Sequence, residues 1–181
     1  RLTRLTPARV SVEVRGEDGR PLPAKLSVVG FIDPSQAGRP LKDHLFNLAS
    51  GESWRTDDLV PDVASEPSTL RYIEGSAVTH EGVASLEVPP GTYELYLSRG
   101  TEYELKQVSV QLKAGDVFPY SVQLKREVQT PGYVSADFHL HAAPSLDSDL
   151  PLRRRVRTAA AEGLEHLVAT DHNFVTDYQP F

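Results

Sequence analysis

Two hydrophobic rhythms divide this chain. Over residues 8–127 the apolar side chains tend to fall at every second position. Val10, Val12 and Val14 alternate with Ser11 and Glu13, the period of a strand with one buried face. Leu26 and Val28 resume it, and Leu86 and Val88 oppose Ser85 and Glu87. Tyr93, Leu95 and Leu97 alternate with Glu94, Tyr96 and Ser98, and Val108, Val110 and Leu112 with Gln107, Ser109 and Gln111. Val122 and Leu124 close the series. Turn chemistry separates these runs. Gly16-Glu17-Asp18-Gly19 contains the Asp-Gly pair that favours a hairpin, and Pro89-Pro90-Gly91 and Ala114-Gly115-Asp116 break the later runs. Short strands at this spacing predict an antiparallel β-sandwich, because each sheet needs a second to cover its apolar face.

Residues 31–70 interrupt the rhythm. Pro34, Pro40, Pro61 and Pro67 stand among small polar residues, and a connection this long is expected to carry local structure or to cover a neighbour. His44-Leu45-Phe46 and Trp54 are its expected packing anchors.

Near residue 128 the period changes. Gln129-Thr130-Pro131-Gly132 reads as a linker turn and Tyr133 to Leu140 as a strand. Leu152 to Glu162 reads as a helix, with Pro151 suited to its first turn, alanines through its body and Gly163 to end it. Leu164 to Ala169 reads as a second strand, apolar enough for burial on both faces. Strand, helix and strand in this order predict a right-handed βαβ unit. The fold class is therefore mainly β, with a sandwich at 1–127 and an incomplete α/β segment at 128–181. Two parallel strands and one helix cannot bury a core alone.

Composition narrows the chemistry. The chain has 181 residues, 39% of them hydrophobic and 24% charged, which fits a globular protein rather than a disordered one. Its formal net charge of −6 argues against a general electrostatic grip on nucleic acid, and no apolar run is long enough to span a bilayer. With no cysteine, any metal must be held by His, Asp or Glu. The absence of methionine and the start at Arg1 read as a processed piece of a longer protein.

Four of the six histidines fall between residues 139 and 172. In a regular strand Asp137, His139 and His141 project from one face, at the C-terminal end where parallel α/β folds build their sites. Ala169-Thr170-Asp171-His172-Asn173 follows the neighbouring parallel strand, and Asp147 and Asp149 lie in the loop between. Imidazole and carboxylate donors converging this way suit Zn²⁺, Mn²⁺ or Fe²⁺.

Asp137-Phe138-His139-Leu140-His141 and Ala169-Thr170-Asp171-His172-Asn173 resemble the first two motifs of the PHP (polymerase and histidinol phosphatase) superfamily, nearest to its CehA/McbA-type metal-dependent hydrolases. Ala142-Ala143-Pro144-Ser145-Leu146-Asp147-Ser148 stands where that family has a serine-aspartate turn. The resemblance implies the start of a distorted α/β barrel of PHP type, truncated here. It implies that His139 and His141 ligate one metal, that Asp147 and His172 share another, and that Asp137 and Asp171 ligate or orient the imidazoles. Asp171 and His172 are the residues it marks as catalytic, and metal-bound hydroxide would attack a small-molecule ester or phosphoester. The family's later motifs are absent, so the remainder of a catalytic domain is expected elsewhere, and this piece is not expected to turn over alone.

Glu81 to Leu95, with Lys113-Ala114-Gly115-Asp116, resembles carboxypeptidase-regulatory-like domains. Such modules often precede catalytic domains in exported bacterial proteins, which implies a periplasmic or extracellular setting, with the cytoplasm still open. Two other readings stand beside the hydrolase: a non-catalytic accessory or binding sandwich with an inactive α/β stub, and a purely structural module in which residues 31–70 cover an open sheet edge. His44, His80 and His166 read as surface or packing residues, and Arg153, Arg154, Arg155 and Arg157 as a solvated helix face. Tyr93, Tyr96 and Tyr103 read as ordinary strand aromatics.

Overall fold

A computed structural model describes residues 6–32, 46–47, 52–53, 70–79 and 81–181. The expected anchors His44, Leu45 and Trp54, the surface reading of His80 and most of the 31–70 connection lie outside the described residues.

The alternating runs form two facing sheets. One has the order β6-β1-β9, from β1 (Ala8–Arg15), β6 (Val83–Val88) and β9 (Val117–Gln123). The other has the order β5-β2-β7-β8, from β2 (Ala24–Ile32), β5 (Leu70–Thr79), β7 (Gly91–Ser98) and β8 (Lys106–Leu112). Along the chain β3 (Phe46–Asn47) and β4 (Glu52–Ser53) fall between β2 and β5 and pair with each other. Val10, Val12 and Val14 of β1 face Leu26 and Val28 of β2 and Tyr93, Leu95 and Leu97 of β7 in one apolar core. Val88, Val110, Leu112 and Leu124 complete it, each at the position the alternation assigns to the inner face. The mainly β, sandwich-like character is as the pattern predicts.

Two pairings differ from it. The Gly16–Gly19 turn does not close a hairpin. It carries the chain from one sheet to the other, and backbone pairing across it stops before β2: an isolated bridge joins Arg15 and Pro21, and Leu22 N–H donates to Val14 O at 3.0 Å. Pro21 and Pro23 have no N–H, so a ladder cannot continue through them. β1 then takes β6 as an antiparallel partner and β9 as a parallel one. Alternation fixes which face of a strand is buried but not which strand lies beside it.

The C-terminal lobe consists of β10 (Ala136–Leu140), α1 (Leu152–Ala161) and β11 (His166–Ala169), with β10 and β11 paired in parallel. The first strand is shorter than its sequence predicts, and Tyr133 and Val134 are exposed. β11 is only half-buried, because its two-stranded sheet has no third layer to cover both faces. The helix starts from Pro151 as its N-cap and ends in a Schellman motif, in which Gly163 N–H donates to Ala160 and Leu164 N–H to Ala159. Gly163 takes φ +75°, the left-handed conformation that this motif requires.

The helix packs on β2 and β5 and so docks the lobe on the sandwich. Its last turn contains no basic residue. The sandwich supplies the missing cation: Arg99 Nη1 donates to Ala160 O at 2.5 Å and to Pro23 O at 2.6 Å. Lys25 pairs with the C-cap Glu162 at 3.1 Å. At Gly100, φ is +59° and an added Cβ would stand 2.1 Å from Glu162 O, so only glycine permits this approach. No helix among the described residues is long and apolar enough to cross a membrane.

Candidate metal centre

Three side chains from three segments meet beyond the C-terminal ends of β10 and β11. His141 follows β10, Asp147 lies in the loop to α1, and His172 follows β11. His141 Nδ1 stands 2.9 Å from both carboxylate oxygens of Asp147, and His172 Nε2 stands 3.3 Å from Oδ2. One potential ligand atom from each lies within 4.8 Å of the others. A tetrahedral ion with bonds of about 2.1 Å spaces its donors about 3.4 Å apart, so His172 and Asp147 already fit, and His141 needs to open by about half an ångström.

Local hydrogen bonding builds this convergence. Ser145 is buried, its hydroxyl donates to Asp147 Oδ1 at 2.6 Å, and it accepts the His172 backbone N–H at 3.0 Å. One hydroxyl thereby joins two of the three donor segments. The Ser145 hydroxyl, and next the His141 ring, hold the Asp147 carboxyl well below the usual carboxylate range. Asp147 therefore stays ionised, as a metal ligand must. Arg155 Nε donates to His141 O at 2.8 Å and fixes the backbone from which that imidazole projects. Asn173, at φ +61°, turns the chain away immediately after His172.

The remaining residues singled out from the sequence lie close by in other roles. The His139 ring is exposed, with its centroid 4.9 Å from that of His141, and its nitrogens are outside the three-residue group. Asp137 is also outside the three-residue group. The register of β10 on β11 shifts between Asp137 and Leu140, and the extra residue breaks the alternation that grouped Asp137 with His139 and His141. Asp137 accepts the His139 backbone N–H and borders a cavity that Asp147 and Asp149 also line. Asp171 is buried, and both of its oxygens are engaged. Oδ1 accepts Ala142 N–H at 2.6 Å and Oδ2 accepts the Thr176 hydroxyl, so the carboxylate braces the loops against each other. His166 is exposed at the start of β11 beside the Phe138 ring.

Ser145 and Arg155 were assigned no role at the site from the sequence. A serine two residues before a loop aspartate is a usable signal for Ser145, since its hydroxyl reaches a neighbouring carboxylate in such a turn. Nothing within the arginine run separates Arg155 from its neighbours, and its engagement follows from how the helix docks.

No family model matches the chain, and no curated protein does. Solved structures match weakly. The Bacillus anthracis TIE protein matches at 12% identity and TM-score 0.33, over 67% of this chain and 17% of that one. The minor pilin GBS52 of Streptococcus agalactiae matches at 16% identity and TM-score 0.33, over 72% and 49%. The shaft pilin SpaA of Lactobacillus rhamnosus GG matches at 12% identity and TM-score 0.37, over 75% and 52%. The chain thus spans about half or less of these proteins, and likeness at this level carries no functional argument. The PHP resemblance is corrected by the absence of any matching family model or curated protein, and the solved structures matched are not PHP enzymes. The chain therefore gives no support to the PHP and CehA/McbA resemblance, to the hydrolase activity it implies or to an ester substrate. The motifs behind it are two short His- and Asp-bearing strand ends, which any parallel strand pair can display.

Proposed function

We propose that the chain is a non-catalytic binding or accessory β-sandwich whose C-terminal lobe holds one divalent transition-metal ion between His141, Asp147 and His172. The observation that carries this reading is the approach of three potential ligand atoms to within 4.8 Å of one another. The donor set supports Zn²⁺ first, with Mn²⁺ and Fe²⁺ as further candidates. His139 stands near enough to His141 to offer a fourth donor after a side-chain rotation. The ion would cross-link the loops after β10 and β11, which in its absence are held by Asp171 and Ser145.

Isothermal titration of the chelator-treated protein with Zn²⁺ tests this, together with metal analysis of the purified protein. One ion per chain is expected. His141→Ala and His172→Ala should each weaken binding by at least about a hundredfold, the equivalent of about 2.8 kcal/mol. A wild-type protein that binds no ion, or variants that bind as tightly as wild type, would overturn the assignment.

A further inference from the structure

A cavity of about 630 Å³ lies between the lobes, within the size range of small-molecule sites. Its lining is more polar than apolar, and the apolar part includes Val78 from the sandwich and Leu140 and Leu164 from the βαβ lobe. Its lining also carries charges of both signs, among them Arg154 from α1, Asp149 from the preceding loop and Asp137 from β10. Other charges at this cavity are already engaged. Lys25 is neutralised by Glu162 at 3.1 Å, Asp147 faces His141 and Ser145, and Arg155 Nε is bound to His141 O. Arg154 and Asp149 form no ion pair among the described residues, and Asp137 accepts only a backbone N–H there. A guanidinium and two carboxylates therefore line the same cavity as Val78, Leu140 and Leu164 without pairing with one another.

We propose that this cavity binds a small zwitterion with an apolar body, of the size and character of a hydrophobic dipeptide. Arg154 receives the ligand's carboxylate as a planar fork, Asp149 and Asp137 receive its ammonium, and its side chains rest on Val78, Leu140 and Leu164. A purely anionic ligand would meet two carboxylates, and a purely cationic one would meet the guanidinium. Only a molecule carrying both charges satisfies all three groups. Asp147 borders this cavity as well as the candidate metal centre, but Arg154, Asp149 and Asp137 are outside the three-residue group, so binding is expected without metal.

Titration calorimetry with leucyl-leucine, run in chelator, is the test. Its N-acetylated and C-amidated forms and the Arg154→Gln and Asp137→Asn/Asp149→Asn variants complete the set. Saturable one-to-one binding of the free dipeptide is expected, and blocking either terminus should weaken it about tenfold. In Arg154→Gln the acid and the amide should bind alike, and in the double Asp variant the acetylated and free forms should bind alike. These side chains line the cavity, and circular dichroism will show that the variants keep the fold. No saturation with the free dipeptide, equal affinity for capped and free forms, or binding only when Zn²⁺ is added would each overturn the proposal.

Discussion

Replacing Arg99 with alanine should uncouple the βαβ lobe from the sandwich. The guanidinium spans the boundary, with one nitrogen shared between Pro23 O on the sandwich side and Ala160 O at the helix end. It also lies 5.4 Å from the centroid of the Tyr103 ring. A hydrogen bond from a charged donor contributes about 1.5–3 kcal/mol. Because a single N–H group pair serves both carbonyls, we take the lower figure for each and expect a loss of about 3 kcal/mol, concentrated at the interface. That corresponds to about a hundredfold rise in the opening equilibrium of the lobe. Hydrogen exchange read by mass spectrometry will resolve it. Amides of β10, α1 and β11 should lose about two decades of protection in Arg99→Ala, while those of β1, β2 and β7 change little. Arg99→Lys keeps the charge without the fork and should fall between. Unchanged protection in the lobe, or an equal loss across both lobes, would refute the reasoning, since it requires the arginine to act as a link between two separately stable parts.

Four further outcomes follow from the geometry. Gly100→Ala places a methyl group against Glu162 O and should produce the same selective loss of lobe protection as Arg99→Ala, measured by the same exchange experiment. Ser145→Ala removes the strongest influence on the Asp147 carboxyl, so its titration midpoint, followed by carboxyl-carbon NMR, should move up toward the ordinary range, and Zn²⁺ affinity should fall about 10–100-fold. Burial, and next the Glu74 carboxylate, push Tyr93 up to about 12. Its contribution is fully present below pH about 10 and is lost as pH rises from there through 12; urea midpoints should fall over that window, and Tyr93→Phe should flatten the fall. Leu95→Ala opens a void in the sandwich core and should cost about 2–5 kcal/mol in urea unfolding.

The sandwich was legible where a single strand carries its own information. Val10-x-Val12-x-Val14 and Tyr93-x-Leu95-x-Leu97 name their buried face without any knowledge of a partner, and those side chains are the core. Pairing is a property of two strands, so the parallel placement of β9 beside β1 and the crossing from β1 to the other sheet were not legible. At the candidate centre the sequence supplied the residue types and the structure selected among them. Asp137 was grouped with His139 and His141 by an unbroken period of two, and a one-residue bulge with no glycine or proline to mark it undid that grouping. Asp171 has the composition of a ligand, but its surroundings engage both oxygens in bracing. The family resemblance failed for a related reason: a few donors at strand ends are short enough to occur outside the family they suggest.

The first strand of the chain ends up in the middle of its sheet. Both of its neighbours come much later, and the parallel one is the last strand of the sandwich. During synthesis β1 therefore emerges with both edges unsatisfied and stays so until nearly all of the sandwich has been made. Pairings this distant in sequence slow folding, because the intervening chain must be ordered before the contact can form. A nascent chain of this design has a long window in which it is still unfolded and exposed. A holdase that shields a β-branched N-terminal segment would raise its yield more than one acting on the later strands.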